Sequence, residues 1–428
     1  MHNQSFDLTL SEISKIEGAA ALDLSVRDGK VIDLKFKLTE YKRFYTQGIR
    51  GKTVSAVPQL LARICGTCSN AHIMASIEAL EKALGIIPTA QTKTMRRLAI
   101  DGLVIRDHGL HLYVFVLPDL LGKDSILDFD ENDPRQKQLL EDTFTVKAAG
   151  NQLSLAFGGR SVHAPYLAIG GFSQFPQAED LEKCKQMLEK ARDAALRLVK
   201  TFSKCPFKFE DDTTFVALVS DKYDFLEGEI VTSNGEVIPE VNFREHLEHQ
   251  VIPYSQASGY KFEGDRYMVG ALARINLAKE LLDPNTARDA SFALSRFPST
   301  NIFDNNLAQA IEILHCIDES LEFLEGPAFN PEPPATSSKT SGIGVGVIEA
   351  PRGTLYHQLE IRDNKIVRAE VIVPTGQNQI SIEKNLVRLV EKNLNLSKKQ
   401  LSFEIEKLVR AYDPCISCAT HFIKIHWN

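Results

Sequence analysis

Two short stretches near opposite ends of the chain decide the fold, because their chemistry requires them to meet. The first is R-I-C-G-T-C-S-N-A-H at residues 63–72, and the second is D-P-C-I-S-C-A-T-H at residues 413–421. Each places two thiols three residues apart, so that one turn of backbone can direct both sulfurs at one metal, and each adds a histidine beyond them. Thiolates are soft ligands, which leaves zinc, nickel, copper(I) and iron–sulfur clusters as candidates.

Spacing alone favours a structural four-cysteine zinc site, but three features of the chain weigh against it. Structural zinc sites usually join local elements, whereas almost the whole chain separates Cys68 from Cys415. Iron–sulfur sites group their cysteines more closely. A thioredoxin-like redox pair needs only one C-x-x-C in a βαβ context. The other cysteines, Cys184, Cys205 and Cys316, stand alone and fit small buried hydrophobic positions.

Composition excludes several classes of protein. The chain has 428 residues, of which 43% are hydrophobic and 25% charged, with a net charge of −7. This composition is that of a folded protein, and the acidic balance argues against a nucleic-acid partner or a polybasic membrane anchor. An apolar run of about 18 residues, which a transmembrane segment needs, is absent from the sequence. The polar Met1–Leu10 does not look like a secretory signal, so we predict a cytoplasmic protein.

The periodicity predicts an α+β fold dominated by helices, in which long central helices carry the metal site and antiparallel β-sheet lies at the periphery. We predict one domain over 1–428. It contains an N-terminal strand pair (1–45), a helical core with a small β-containing insertion (about 209–262), and a C-terminal metal-binding segment (345–428). The predicted helices are Thr92–Leu117, Ala178–Phe202, Asn306–Phe323, Ser381–Leu394 and Lys398–Ala411. The predicted strands are Ala20–Val26, Val31–Leu38, Leu355–Ile361 and Ile366–Val373.

The residues around both cysteine pairs resemble the signature motifs of nickel–iron hydrogenase large subunits. The resemblance extends over nearly the whole chain, and its length and order of blocks are most similar to the cytoplasmic multisubunit branch. That branch couples hydrogen to nicotinamide, deazaflavin or other carriers. Further blocks that carry the resemblance are Lys15–Gly18, His163–Pro165, Asn305–Ala310, Glu349–Gly353 and Val373–Thr375.

The resemblance implies a ligand set for a bimetallic centre. Cys65 and Cys415 would be terminal ligands of nickel, while Cys68 and Cys418 would bridge nickel to iron. The iron would also carry carbon monoxide and cyanide ligands that no side chain supplies. His72 would donate a hydrogen bond to a bridging sulfur, which tunes the metal through its ligand.

The resemblance also implies residues that act around the metals. Arg352 would lie over the open coordination position, and Thr375, which follows Pro374, would hydrogen-bond a cyanide. Glu17 would take the proton from the sulfur of Cys415 and pass it outward. The base that takes the proton from H2 could be a nickel-bound thiolate or the guanidine of Arg352. Because arginine is normally cationic, a role in electrostatic positioning suits Arg352 better than a role as base.

Two aspartates complete the predicted site. Asp119 occupies the family position of an acidic residue near the metals, hydrogen-bonded to the region of Arg352. It follows His108 by 11 residues, which returns to within about 20° of the same face of an α-helix. Asp413 precedes Pro414, which biases it toward extended backbone and can direct its carboxylate inward. His108 and His111 are not assigned as ligands, because core histidines explain them equally well.

A second metal site is the point at which the sequence departs from the family. Relatives use an acidic residue 17 positions before the arginine of the first motif, together with the final histidine, to bind magnesium. Here those positions hold Thr46 and His421. Threonine is a poor ligand for a hard cation, so the magnesium site is in question.

The predicted function is therefore that of the catalytic subunit of a nickel–iron hydrogenase, which cleaves H2 reversibly and heterolytically. Because the chain has no further cysteine cluster, a small iron–sulfur subunit must receive the electrons, and flavin-bearing diaphorase-type subunits would pass them to a soluble carrier such as NAD(P). A H2-sensing regulatory hydrogenase and a structural four-cysteine zinc protein are the alternatives.

Overall fold

Long helices form the interior of the molecule, which a computed structural model describes over residues 5–420. Their apolar residues recur at helical spacing and pack into a continuous core from Ile13 to Ala419. The helices of eight or more residues are Ser69–Leu84, Ala90–Gly109, Pro134–Gly158, Ala178–Phe202, Ala271–Ala278, Asp304–Glu325, Pro374–Lys392 and Lys398–Ala411. Shorter α-helical turns are Tyr45–Gly48, Val57–Leu61, Leu117–Leu120, Phe243–His246, Pro284–Asp289, Ser291–Leu294 and Ile416–Ala419.

Small sheets surround the helices, as the sequence predicts. One antiparallel sheet joins Phe6–Leu10, Ala20–Arg27 and Lys30–Leu38, and a second joins Gly342–Ala350, Gly353–Arg362 and Lys365–Ile372. A four-stranded sheet has the order Tyr267–Met268, Thr214–Val219, Glu229–Thr232, Val237–Ile238, and its first pair is parallel. Two further hairpins pair Leu247–Val251 with Ser258–Phe262 and Leu167–Ala168 with Gly171–Phe172. The fold is α+β and dominated by helices.

The central helix is helical throughout but is not a uniform α-helix, which refines the predicted helix Thr92–Leu117. An α-helix covers Ala90–Gly109, a π-helix follows at Leu110–Val116, and a short α-helical turn covers Leu117–Leu120. The wider π turn changes the angle per residue, so the 100° rule that placed His108 and Asp119 on one face does not apply. The sequence-based prediction also missed the helix Pro134–Gly158, the strand Phe6–Leu10 and the strand Gly342–Ala350.

Small residues bring the helix Ser69–Leu84 into direct contact with the strand Gly342–Ala350. A Cβ atom on Gly344 would lie 2.0 Å from the carbonyl oxygen of Ala79, and one on Gly346 would lie 2.1 Å from that of Ala75. Any side chain at these glycines would therefore separate the strand from the helix. This close packing fixes the helix that begins directly after Cys68.

Within residues 5–420, none of the helices is both long enough and apolar enough to cross a membrane.

Candidate metal centre

The two cysteine pairs share an extended first cysteine but differ in where the following helix begins. Cys65 and Cys415 both lie in extended backbone, with φ −138° and −106°. In each pair the chain then turns into a helix, which begins at Ser69 after Cys68 and at Ile416 after Cys415. The extended residue and the following helical turn direct both sulfurs of a pair to the same side.

The four sulfurs come together in the interior. The Sγ atoms of Cys65 and Cys415 are 3.3 Å apart, those of Cys68 and Cys418 are 3.1 Å apart, and all four lie within 4.8 Å of one another. All four residues are buried and none forms a disulfide. Four thiols at such distances form the soft donor set that a thiophilic metal requires. The structure thus brings together the four cysteines that the sequence singled out.

The electrostatics of the group fit a metal cation. Burial opposes ionisation of Cys65, yet hydrogen bonds from Cys415 first, then from Cys418 and Cys68, with the Arg352 guanidinium, hold the pKa of this thiol well below its usual range. Burial raises the pKa of the Cys415 thiol well above its usual range, and its neighbouring thiols add to the rise. A second or third thiolate in this space requires a positive ion, so the residues present fit a bound metal.

Arg352 is held beside the sulfurs by two carboxylates. Its Nη1 donates to Asp107 Oδ2 at 2.7 Å, and its Nη2 lies 3.2 Å from Asp413 Oδ1. Burial opposes the charge, but Asp107 and Asp413 raise the pKa of the Arg352 guanidinium well above its usual range. The arginine is therefore a fixed cation, and this geometry favours electrostatic positioning over a role as base.

Asp413 adopts a conformation that differs from the expected extended backbone. Its φ is +49°, in the left-handed region that aspartate tolerates better than most residues. The helix Lys398–Ala411 has just ended, and the reversal brings the carboxylate to Arg352 and to Gln309, whose Nε2 donates to Oδ2 at 2.9 Å. The expectation that Pro414 imposes an extended residue was wrong, while the inward direction of the carboxylate is as expected.

Glu17 contacts the metal-binding segment directly. It forms a parallel β-bridge with Cys415, and the Cys415 thiol donates to its Oε2 at 3.1 Å. The backbone and hydroxyl of Ser417 donate to the same carboxylate. Gly18 permits this approach, because a Cβ atom there would lie 2.8 Å from the Cβ of Ile416. Burial raises the pKa of the Glu17 carboxyl, and the Cys65 thiolate adds to the rise.

His72 and Thr375 lie on another side of the sulfurs. His72 Nε2 is 3.6 Å from Cys418 Sγ, and burial lowers the pKa of His72 to about 4. Thr375 lies in the first turn of the helix Pro374–Lys392, and its hydroxyl accepts the backbone N–H of Cys415 at 2.8 Å. These residues border a small cavity, lined by Cys68, His72, Ala350, Arg352, Leu355, Pro374, Thr375, Cys415 and Cys418.

Asp119 does not contact Arg352, which corrects the position predicted for it. It pairs instead with Lys15 Nζ at 2.5 Å and with Arg410 Nε at 2.6 Å. Arg410 also donates to the carbonyl oxygen of Ser14. Asp119 therefore anchors the loop that precedes Glu17, and the carboxylate that reaches Arg352 from this helical segment is Asp107, which lies earlier in the chain.

The other histidines that the sequence analysis considered, His108, His111 and His421, do not all have the same outcome. His108 Nε2 lies 2.8 Å from Glu312, and His111 contacts Gln309 and the carbonyl oxygen of Arg410, so both are core residues. His421 lies outside the described residues. Thr46, its proposed companion at a second metal site, is buried in the turn Tyr45–Gly48, and the magnesium site stays a prediction.

Sequence reasoning missed Asp107 and Gln309, which hold Arg352 and Asp413. Asp107 belongs to Arg106-Asp107-His108, a run of ionisable residues that directly follows the apolar stretch Leu103–Ile105. Charged residues beside such a run are rarely buried without a partner, and this could have identified Asp107. Gln309 lies in a block that carries the resemblance, but its neutral side chain gave no separate signal.

Comparison with known proteins agrees with the geometry. A family model described as nickel-dependent hydrogenase matches residues 47–144 and 233–421. Sulfhydrogenase 2 subunit alpha of Pyrococcus furiosus is 33% identical over 423 residues, covering 98% of this chain and all of that protein. The beta subunit of the NAD-reducing hydrogenase HoxS of Cupriavidus necator is 27% identical, covering 97% of this chain and 94% of that protein.

A solved structure supports the same fold. The chain superposes on a crystal structure of an NAD+-reducing NiFe-hydrogenase in the H2-reduced state with a TM-score of 0.86, covering 98% of this chain and all of that one at 24% identity. Fold and thiolate site together define the large subunit of a hydrogenase. The chain belongs to the nickel-dependent hydrogenase family, and it is the catalytic subunit of an oxidoreductase that acts on H2 at a nickel–iron centre.

Proposed function

We propose that Cys65 and Cys415 are terminal ligands of nickel and that Cys68 and Cys418 bridge nickel to iron. The observation that carries this assignment is the position of the cavity. Cys68 and Cys418 both border it, together with Cys415, whereas Cys65 does not. An iron held by Cys68 and Cys418 would have this cavity beside it for its carbon monoxide and cyanide ligands.

The residues around the cavity suit those diatomic ligands. The hydroxyl of Thr375 accepts a bond from the backbone of Cys415, which leaves its hydrogen to be donated to a cyanide. Pro374 and Thr375 also begin a helix of 19 residues, whose N-terminal dipole favours anions. Arg352 adds a permanent positive charge at the same cavity.

The centre, when bound, supplies the Lewis acid that heterolytic cleavage of H2 needs. Glu17 then acts as the proton acceptor, because its Oε2 lies within hydrogen-bonding distance of Cys415 Sγ. The half-buried position of Glu17, next to exposed Gly18 and Ala19, gives the carboxylate a direct way to deliver the proton outward.

Electrons leave, in this proposal, to a small iron–sulfur subunit that docks over the cysteine loops. Arg63 and Gly66 are exposed on either side of buried Cys65. Tyr45 donates to the carbonyl oxygen of Arg63, and Phe44 beside it is 50% exposed. Within residues 5–420 the four cysteines are the only group of three or more metal-binding side chains, so clusters for electron transfer belong to a partner.

Phe44→Glu tests this surface. A negative charge in place of this exposed aromatic side chain should prevent co-purification of the small subunit with this chain. The matched control is Ile343→Glu, since Ile343 is similarly exposed, at 62%, on a different element. Equal recovery of the small subunit with both variants would contradict docking at Phe44.

The electron carrier is NAD(P), reached through flavin-bearing diaphorase-type subunits, in a cytoplasmic complex. The supporting observation is the similarity to the beta subunit of the NAD-reducing hydrogenase over 97% of this chain. Spectrophotometric assay of the whole complex with H2 and NAD or NADP tests the carrier. A complex that reduces neither nucleotide while reducing artificial dyes would exclude it.

Infrared spectroscopy of the purified complex, with metal analysis, tests the site. We expect bands of metal-bound carbon monoxide and cyanide, with nickel and iron in equal amounts. A spectrum without these bands, from protein with stoichiometric zinc, would refute the assignment. A loaded complex that exchanges H2 with solvent protons but hardly turns over would instead be a H2 sensor.

A further inference from the structure

A second histidine stands behind His72. His72 Nδ1 and His357 Nε2 are 3.1 Å apart, and both rings are almost completely buried. The other ring nitrogen of His72 lies 3.6 Å from Cys418 Sγ. The order Cys418, His72, His357 is thus a row of two hydrogen bonds that starts at one of the four sulfurs.

One direction of hydrogen-bond donation is favoured along the row Cys418, His72, His357. Two nitrogens 3.1 Å apart share one hydrogen, so one histidine donates and the other accepts. If His72 donated from Nδ1, its Nε2 lone pair would face the electron-rich sulfur of Cys418. If His357 donates instead, His72 Nε2–H points at the sulfur and both contacts are attractive.

We infer that His357 is a positioning residue for the nickel–iron centre: it donates a hydrogen bond to His72 and thereby makes His72 donate to the bridging thiolate of Cys418. The inference rests on the proposed assignment of Cys418 as a bridging ligand. A hydrogen bond to a thiolate withdraws electron density from the sulfur and so from the iron that it binds.

The backbone holds His357 firmly in this position. It lies in the middle of the strand Gly353–Arg362, where it pairs with Gly346 on one side and Val371 on the other. Gly346 in turn contacts Ala75, three residues after His72 on the same helix. The two histidines are thus carried by a strand and a helix whose separation is fixed by direct packing.

The test compares His357→Gln with His357→Met in the purified, metal-loaded complex. The two side chains have nearly the same length, but only glutamine retains an N–H donor. The readout is the infrared spectrum of the resting protein, which reports the electron density at iron without turnover. We expect the carbon monoxide band of His357→Met to move to lower wavenumber, because a more electron-rich iron donates more into the ligand, and that of His357→Gln to stay close to the wild-type position.

A double variant separates the relay from a general disturbance. Because His357 acts through His72, the shift of His72→Met should equal or exceed that of His357→Met, and the double variant should match His72→Met alone. His315→Met is the control, since His315 is also buried but accepts its bond from the backbone of Asp283. Only molecules that contain the metal centre contribute to the spectrum, so partial metal loss does not affect the comparison. If His357→Met binds no metal at all, His357→Leu takes its place.

Unchanged bands in His357→Met, or shifts that add in the double variant, would overturn the inference. A wild-type spectrum without carbon monoxide and cyanide bands would instead overturn the proposed function on which it rests.

Discussion

Glu17→Gln replaces the carboxylate that accepts the hydrogen bond of Cys415 with an amide of nearly the same shape. The amide can still accept the backbone N–H of Ser417, so the fold and the metals should be retained. It cannot accept a proton, because an amide is not a base at any accessible pH. Loss of a positioned acid–base group typically costs 10²–10⁴-fold in rate, which corresponds to roughly 3–5 kcal/mol in activation free energy.

The assay is H2/D2O exchange by the whole complex, followed by mass spectrometry, with metal content and infrared bands measured on the same sample. We expect exchange to fall at least 10²-fold (about 3 kcal/mol) while nickel, iron and the infrared bands persist. Glu12→Gln is the matched control, since Glu12 is an exposed carboxylate of the same N-terminal segment. Exchange within a factor of about two of the wild type, in a fully loaded Glu17→Gln complex, would refute the relay.

Three further substitutions test other parts of the site. Cys415→Ser should abolish nickel retention, measured by elemental analysis, and a variant with full nickel would contradict its assignment as a ligand. Arg352→Lys should keep the fold but lose most turnover, because one ammonium group cannot hold both carboxylates that the guanidinium bridges; normal turnover would show that the guanidinium is unnecessary. Asp119→Asn should lower the free energy of unfolding by about 3 kcal/mol, because the buried Arg410 loses its closest carboxylate, and an unchanged denaturation midpoint would argue against a structural ion pair.

Strongly patterned elements could be predicted from the sequence almost to the residue. The helix predicted over Ala178–Phe202 has these bounds in the structure, because one face is apolar and the other is charged along its whole length. The helix Lys398–Ala411 also matches its prediction, and Ser397 caps its first turn. In both cases the local sequence alone contains the information that sets the ends.

Elements whose shape depends on tertiary packing could not be predicted. The π-helix Leu110–Val116 has the composition of an ordinary buried helix, so nothing in the sequence marked the change of helical period between His108 and Asp119. The strand Gly342–Ala350 contains three glycines, which normally weaken a strand, and only contact with the helix Ser69–Leu84 explains them.

The residues of the metal centre also divide into those that the sequence predicts and those that depend on tertiary packing. The four cysteines could be found from spacing and context, since soft ligands in pairs have few alternative explanations. Asp107, Gln309 and His357 could not be placed, because each acts through a partner that lies 104 to 285 residues away in the sequence and is therefore invisible to local pattern. Their positions become meaningful only once the helices and strands are packed.

The glycines at 344 and 346 touch no metal-binding side chain, yet they stand where the two halves of the centre are aligned. The helix that they contact follows directly on Cys68 and carries His72, while their own strand leads to Arg352. A methyl group added at either glycine would push the strand Gly342–Ala350 away from the helix Ser69–Leu84 and so displace Arg352 relative to Cys68 and His72. Screens for loss of hydrogenase activity should therefore recover substitutions at Gly344 and Gly346 that imitate ligand mutations, although the chemistry of every ligand is intact.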